Sequence, residues 1–339
     1  MSKKNSSVIL KSGFKNFEDL SKVYLNFKNN LKKLKYKSYV IAISGGSDSL
    51  ALAALAKALS YERKLKFYYV LVDHKIRHNS KKEADQVKLL LKKHRFSCKI
   101  ISNKSKIIKN IQSKARDVRY GILKNFCKKK KVKIILTAHN LEDQVETFFI
   151  RLSRGSGING LSGMKIISKL DKDILLFRPL LDVKKKTLIK ISKKIFGKYF
   201  KDPSNKNMKY LRTKIRNLET PLQRSGVNYD QIIKSIKNLA SSKETLDEYF
   251  EKIFKEIVKI HKNEVLISWE KFELLNLEMK IKIINSAIKI LKNNYYNPRA
   301  SKVSNLLEHL ESNKYKRFTL AKCQFIRKGD HLSLKSEKN

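Results

Sequence analysis

Glycine and proline are scarce, at 11 and 4 in 339 residues; average usage would give about 24 glycines. The three cysteines, Cys98, Cys127 and Cys323, lie far apart and form no CxxC pair. That spacing argues against a disulfide framework and against a structural zinc site. No stretch of about 18 apolar residues occurs, which excludes a transmembrane helix. The opening segment, MSKKNSSVILKSGF, lacks the apolar region and small-residue cleavage site of a secretory signal. A soluble, cytoplasmic protein with no membrane association is therefore expected. Acidic residues are few, 30 against 77 Lys and Arg, for a net charge of +47. Hydrophobic residues still make up 41%, enough for buried cores, so the charge does not imply global disorder.

A charge of that size attracts polyanions and speeds their encounter with the protein. Lysine supplies 63 of the 77 positive charges and arginine only 14. A chain rich in Lys, Ile and Asn but poor in Gly, Pro and Arg is also what an AT-rich genome encodes, so the charge alone supports RNA binding only modestly. The exceptions to that bias are informative. Six of the 11 glycines fall in two short segments, Gly45 and Gly46, then Gly155, Gly157, Gly160 and Gly163. Eight of the 14 arginines sit in or beside the motifs described below.

Residues 14–36 read as an amphipathic helix with a basic outer face. A rhythm of short apolar run and helix follows. Strands are expected at Tyr39–Ile43, Phe67–Val72, Cys98–Ile101, Lys133–Ala138 and Ile174–Phe177. Helices are expected at Asp48–Leu59, Lys82–His94, Asn110–Lys129, Leu141–Leu152 and Leu180–Tyr199. Such alternation indicates right-handed βαβ units on a parallel sheet, with ligands at the strand C-terminal ends. Beyond about residue 217 the glycine-rich motifs stop. Ile232–His261 reads as one long helix, Phe272–Lys292 and Ser301–Glu311 as further helices, and Phe318–Leu334 as a small hairpin. The expected architecture is α/β: a Rossmann-like parallel sheet flanked by helices over residues 1–220, then a mainly helical domain with a C-terminal hairpin over residues 221–339.

Three segments carry chemistry. The first is YVIAISGGSDS, Tyr39–Ser49, a strand feeding a Gly-Ser turn and a helix N-terminus. Backbone N–H groups and the positive end of the helix dipole then converge on one spot, an anion site suited to phosphates. Neither GxxxxGK[ST] nor GxGxxG is present. The second segment, Asp73-His74 with Arg77, ends the second strand. The third, Thr137–Met164, runs from a strand end through His139 and Asn140 into a helix, then a glycine-rich loop. Asp143 and Glu146 are three apart on that helix and share one face. In so basic a chain, two acidic side chains suit a cationic substrate.

SGGSDS resembles the diphosphate-binding loop of the N-type ATP pyrophosphatases, the PP-loop superfamily. With DHxxR at Asp73–Arg77 and the His139–Met164 block, the chain closely resembles the tRNA(Ile)-lysidine synthetases. The likeness is good over roughly residues 38–220 and looser beyond. Asp202-Pro203-Ser204-Asn205, the arginine-bearing segment Tyr210–Arg216, and Arg116 and Arg119 before Tyr120 match as well. The chain departs from the family in three places. Asn140 stands where a second His is common, Glu142 where Asp is frequent, and Thr319–Cys323 lacks the usual glycines.

The resemblance implies ATP and Mg²⁺ as cofactors. It assigns Ser44, Gly45, Gly46, Ser47, Asp48, Ser49, Asp73, His74 and His139 to ATP, with Asp48 also serving the metal. Asp143 and Glu146 would hold lysine. Asp48, Asp143, Arg119, Arg212 and Arg216 would be catalytic, the arginines facing phosphate charge. The implied reaction adenylates C2–O of the wobble cytidine in a CAU anticodon and couples free L-lysine to C2. AMP and diphosphate are released, codon reading moves from AUG to AUA, and charging moves from Met to Ile. An isoleucine tRNA and free lysine are the implied partners, leaving room for a homodimer. A cytidine 2-thiolating enzyme with the same loop is the rival within this class, but such enzymes normally use cysteine pairs. A basic RNA-binding factor with a decayed ATP site is the rival outside it, and intact SGGSDS argues against decay.

Overall fold

The computed structural model describes residues 3–104, 111–203, 207–292, 298, 300–312 and 317–337. Its first unit, Met1–Ala240, is built on a six-stranded sheet. The strands are β1 (Ser38–Ile43), β2 (Lys66–Asp73), β3 (Cys98–Ser102), β4 (Ile134–Leu136), β5 (Ile167–Lys169) and β6 (Leu175–Phe177). They lie in the order β3-β2-β1-β4-β6-β5, all neighbours parallel except β5, which runs antiparallel to β6. The helices of this unit are α1 (Lys3–Lys11), α2 (Glu18–Lys32), α3 (Ser47–Glu62), α4 (Ser80–Lys93), α5 (Ile111–Lys130), α6 (Leu141–Leu152), α7 (Ile158–Leu161), α8 (Lys185–Phe196), α9 (Leu211–Asn217), α10 (Glu219–Arg224) and the start of α11 (Tyr229–Ile257).

The central strand shows why the apolar runs become buried strands. Successive side chains of β1 point to opposite faces, and both faces are covered. Tyr39, Ile41 and Ile43 enter one core with Phe27, Leu50, Leu55, Leu188 and Ile191. Val40 enters the other with Val70, Leu123, Phe126 and Ile135. In α3, Ala51, Ala53, Ala54, Ala56 and Ala58 are all fully buried. Small side chains around a helix without a polar face let α3 lie close beneath the sheet, in contact with α8 and β1.

The strands expected from the apolar runs are present. The single helix expected over residues 14–36 is instead α2 alone, with α1 before it and a break at Phe14, whose φ is +62°. β5 went unforeseen because its three residues are an exposed edge with no apolar pattern. Asn110, the expected first residue of α5, lies outside the described residues.

The division between units falls inside α11, after Ala240, rather than at residue 220. The reason is a small core in which Tyr229, Ile232, Ile233 and Ile236 of α11 bury against Leu141 and Val145 of α6. Burying such a side chain contributes about 1.5–3 kcal/mol. A fragment ending at residue 220 should therefore be less stable than one ending at residue 240 by about 4 kcal/mol or more. Thermal melts of the two fragments would read this as a gap of about 10 °C; equal midpoints would contradict it.

The second unit, Ser241–Asn339, holds the rest of α11 with α12 (Trp269–Glu273), α13 (Leu277–Leu291) and α14 (Ala300–Glu311). Its sheet is fully antiparallel: β7 (Val258–Ile260), β8 (Glu264–Ser268), β9 (Arg317–Leu320), β10 (Cys323–Lys328) and β11 (His331–Ser336), in the order β7-β8-β11-β10-β9. The expected hairpin over Phe318–Leu334 is the β9–β10–β11 part of this larger sheet. β7 was hidden because Val258 and Ile260 continue the apolar spacing of α11. β8 alternates cleanly, Val265 and Ile267 inward, but is only five residues long. The expected helix Phe272–Lys292 is divided at Leu274–Asn276, where the Asn276 side chain caps α13 by accepting from Met279 N (2.9 Å). Ala321 and Lys322, between β9 and β10, both take φ of +58°, a conformation glycine adopts at lower cost.

Candidate active site

Between β1 and β4 the strand order reverses direction, and at such a point loops leave the sheet to opposite sides and open a crevice. The loops there are Ser44–Ser49 after β1 and Thr137–Asn140 after β4. The first is tied to itself. The Ser49 hydroxyl accepts from Ser44 N (3.1 Å), donates to Gly46 O (3.1 Å) and lies 3.1 Å from Ser44 Oγ. Gly45 sits at φ +84°, and a Cβ there would lie 2.4 Å from Val87 Cγ2, so only glycine fits. α3 begins at Ser47 and aims its first N–H groups out of the loop. Ser44 is exposed, whereas Ser47 and Ser49 are buried, and Ser49 already serves the turn.

Asp48 is held from two sides. Its Oδ1 accepts from Ser47 Oγ (2.9 Å) and its Oδ2 from Asn140 Nδ2 (3.2 Å). Burial pushes the Asp48 carboxyl above its ordinary value, opposed by the positive charges of Lys185 and Arg216. Asn140 also starts α6: its Oδ1 accepts from Asp143 N (2.9 Å), while Asp143 Oδ2 accepts from Asn140 N (3.2 Å). This reciprocal cap satisfies donors that a helix start leaves open.

The first turns of α6 are fully engaged. Both Glu142 carboxylate oxygens accept from Lys185 N (3.0 and 2.9 Å), capping α8. Glu146, 2% exposed, is flanked by Arg216 Nε and Arg212 Nε, each 2.7 Å away. Arg212 Nη2 lies 3.6 Å from Asp143 Oδ1. Asp143 and Glu146 thus share a face as the spacing predicted, and the cations they meet here are the α9 arginines. Gln144 clamps the following loop, donating to Met164 O (3.0 Å) and accepting from Met164 N (2.7 Å). Arg151 donates to Gly160 O (2.6 Å) and Gly163 O (2.9 Å).

At the end of β2, buried Asp73 accepts from Lys75 N (3.0 Å) and Ser102 Oγ (3.4 Å). Arg119 Nε lies 3.4 Å from His74 Nε2. Burial, reinforced by the Arg119 charge, pushes His74 down to about 4. His139 Nδ1 lies 2.9 Å from Thr137 Oγ1, and burial brings it to about 4 as well. Both imidazoles are neutral at pH 7 and offer hydrogen bonds, not charge. Arg77 Nη2 lies 3.3 Å from both Glu83 and Asp202, joining the DHxxR segment to the Asp202-Pro203 loop. Ser204 and Asn205 of that loop lie outside the described residues.

The structure therefore links Asp48, Asp143, Glu146, Arg212 and Arg216 through Asn140 and ion pairs, and separately joins His74 to Arg119. Sequence reasoning assigned no role to Asn140, Gln144, Arg151 or Lys185. Only Asn140 left a local signal, the N-x-x-D spacing of a capping box. Among the described residues no group of three or more His, Cys, Asp or Glu could cage a metal, and no helix is long and apolar enough to cross a membrane. A groove of about 700 Å³ beside Phe17, Lys190 and Lys194 contains none of the motif residues.

A family profile described as the PP-loop domain matches residues 20–222. A tRNA(Ile)-lysidine synthase of Wolbachia pipientis wMel is 32% identical over 297 residues, 86% of this chain and 69% of that protein. One from Rickettsia typhi is 30% identical over 311 residues, 89% and 70% of the two chains. Among solved structures, the U34-tRNA thiolase NcsA of Methanococcus maripaludis superposes with a TM-score of 0.55 at 18% identity, covering 66% of this chain and 80% of that one. That last likeness speaks for the fold alone. By the profile and the curated relatives together, the chain belongs to the tRNA(Ile)-lysidine synthase family of PP-loop enzymes, ligases that form lysidine in tRNA.

Proposed function

We propose that the chain joins free L-lysine to C2 of the wobble cytidine in the CAU anticodon of an isoleucine tRNA, in two steps driven by ATP. The observation that carries this reading is the Asn140 bridge: Asp48 of the phosphate loop and the acidic first turn of α6 share one side chain. Nucleotide and amine sites then adjoin, as a reaction that activates a base and aminates it requires.

In the first step the C2 oxygen of cytidine attacks the α-phosphorus of ATP, and diphosphate leaves. The N–H groups at the start of α3 bind that diphosphate. Asp73, His74 and His139 surround the adenosine, and Arg119, Arg212 and Arg216 face the charge that grows on phosphate. Asp48 suits Mg²⁺, which usually takes one or two carboxylates plus substrate phosphates. Held there, Mg²⁺ would neutralise phosphate charge. In the second step the lysine ε-nitrogen attacks C2, and AMP departs with the C2 oxygen. The ε-ammonium, with a pKa of about 10.4, loses a proton before attack, and Asp143 is the acceptor within this site. Lysine reaches Glu146 only if one of its two arginines yields. The product reads AUA in place of AUG, and the tRNA is charged with Ile in place of Met.

The second unit is left to contact the tRNA body, and features outside the anticodon must separate this tRNA from the methionine tRNAs that share CAU. The test incubates the protein with ATP, lysine and each transcript and weighs the RNA. A gain of one lysine residue on the isoleucine transcript alone is expected. An unchanged mass would overturn the reading, and replacement of oxygen by sulfur when a sulfide donor is supplied in place of lysine would favour the thiolase.

A further inference from the structure

Asn140 is 2% exposed and sits between two carboxylates that different steps of the reaction use. Its planar amide offers a donor and an acceptor, and both are spent on the site. Nδ2 reaches 92 residues back along the chain to Asp48 Oδ2 at 3.2 Å. Oδ1 takes the backbone N–H of Asp143 at 2.9 Å. Helix capping alone needs only the acceptor, which Ser, Asp and Asn supply about equally well. Among these caps, only an amide of this length also gives Asp48 a donor while leaving its charge intact. Asp in its place would set two carboxylates against each other, and the Ser hydroxyl is too short to span the gap. Asp48 otherwise receives a side-chain hydrogen bond from its own neighbour, Ser47 (2.9 Å). The groups that act on it from other elements are Lys185 of α8, Asp143 of α6 and Arg216 of α9.

We propose that Asn140 is a positioning residue for the reaction: its amide nitrogen orients Asp48 towards the nucleotide while its oxygen anchors the turn that presents Asp143 to lysine. The proposal rests on the two-step reading above. A single side chain thereby couples the geometry of the two half-sites.

Two variants separate the roles. Asn140→Ser keeps the helix cap and removes the donor to Asp48; Asn140→Ala removes both. Full-length proteins are titrated with Mg²⁺ and α,β-methylene-ATP by calorimetry. Diphosphate release and the lysine KM are measured in parallel, with thermal melts as a fold control. The Ser variant should melt like the parent, bind the nucleotide about tenfold more weakly and keep its lysine KM within about twofold. The Ala variant should lose nucleotide affinity similarly and raise its lysine KM severalfold as well. A Ser variant with parental nucleotide affinity overturns the proposal, because Asn140 would then be a cap and nothing more. A Ser variant in which both constants rise together overturns it too. If the parent itself adds no lysine to tRNA, the two-step reading fails, while the nucleotide titration still decides whether Asn140 orients Asp48.

Discussion

Asp48→Asn should lower tRNA-dependent diphosphate release by about a hundredfold or more while leaving tRNA binding within about twofold. The substitution is close to isosteric. Its carbonyl oxygen can still accept from Asn140 Nδ2 or from the Ser47 hydroxyl, so the loop should persist. What disappears is the negative charge beside the phosphate loop. Removing one preorganised electrostatic contact from an active site typically costs 10²–10³ in rate, about 2.7–4 kcal/mol. Protein affinity for RNA comes largely from Lys and Arg against phosphates, so loss of this carboxylate should leave it nearly unchanged. Diphosphate release and filter binding on the same preparations read the two quantities. Turnover within about tenfold of the parent would remove Asp48 from its assigned role.

Glu146→Gln should damage both chemical steps and the fold, whereas Asp143→Asn should slow only lysine addition. Glu146 is almost wholly enclosed, with Arg212 and Arg216 each 2.7 Å away. Neutralising it leaves two guanidinium groups close together without their counter-charge. Breaking a buried pair costs about 3–5 kcal/mol. Because the two arginine side chains remain 39% and 31% exposed, solvent screening reduces this to about 2 kcal/mol, a fall in melting temperature of roughly 4–8 °C. On the proposed reading these arginines face phosphate, so their displacement should lower diphosphate release as well. Asp143, 20% exposed, is the carboxylate open to an incoming amine. In Asp143→Asn, adenylated tRNA should accumulate at limiting lysine and appear by mass. Normal diphosphate release with a raised lysine KM in Glu146→Gln would instead return Glu146 to the lysine site.

Much of this was readable in advance, because the informative segments are local. A strand feeding Gly45 and Gly46 and then a helix announces an anion site within a dozen residues, and the apolar runs of β1, β2 and β4 announce a parallel sheet. The pairing of Asp143 with Glu146 follows from helical spacing. What those two carboxylates touch does not, since Arg212 and Arg216 lie about 70 residues onward and no local pattern says which of many cations will arrive. Glu142 stood out only as a Glu where Asp is frequent, yet it caps α8 from 43 residues away. Asn140 read only as a departure from a familiar motif, because its second bond goes to Asp48, 92 residues earlier, on the loop of the neighbouring strand. The second unit was the least legible: β7 continues a helical rhythm, β8 is five residues long, and the turn at Ala321 and Lys322 carries neither glycine nor asparagine.

The first turn of α6 also fixes when the site can come into being. Its partners lie 92 residues earlier in the chain at Asp48, 43 later at Lys185 and 70 later at Arg216. On a ribosome a domain generally folds as a unit once its chain has emerged, and this one runs to Ala240. Until Arg216 emerges, however, Glu146 has no counter-charge and its helix faces water with an unmatched acid. The candidate site is therefore completed only when α9 joins the unit, because Glu146 lacks its counter-charge until then.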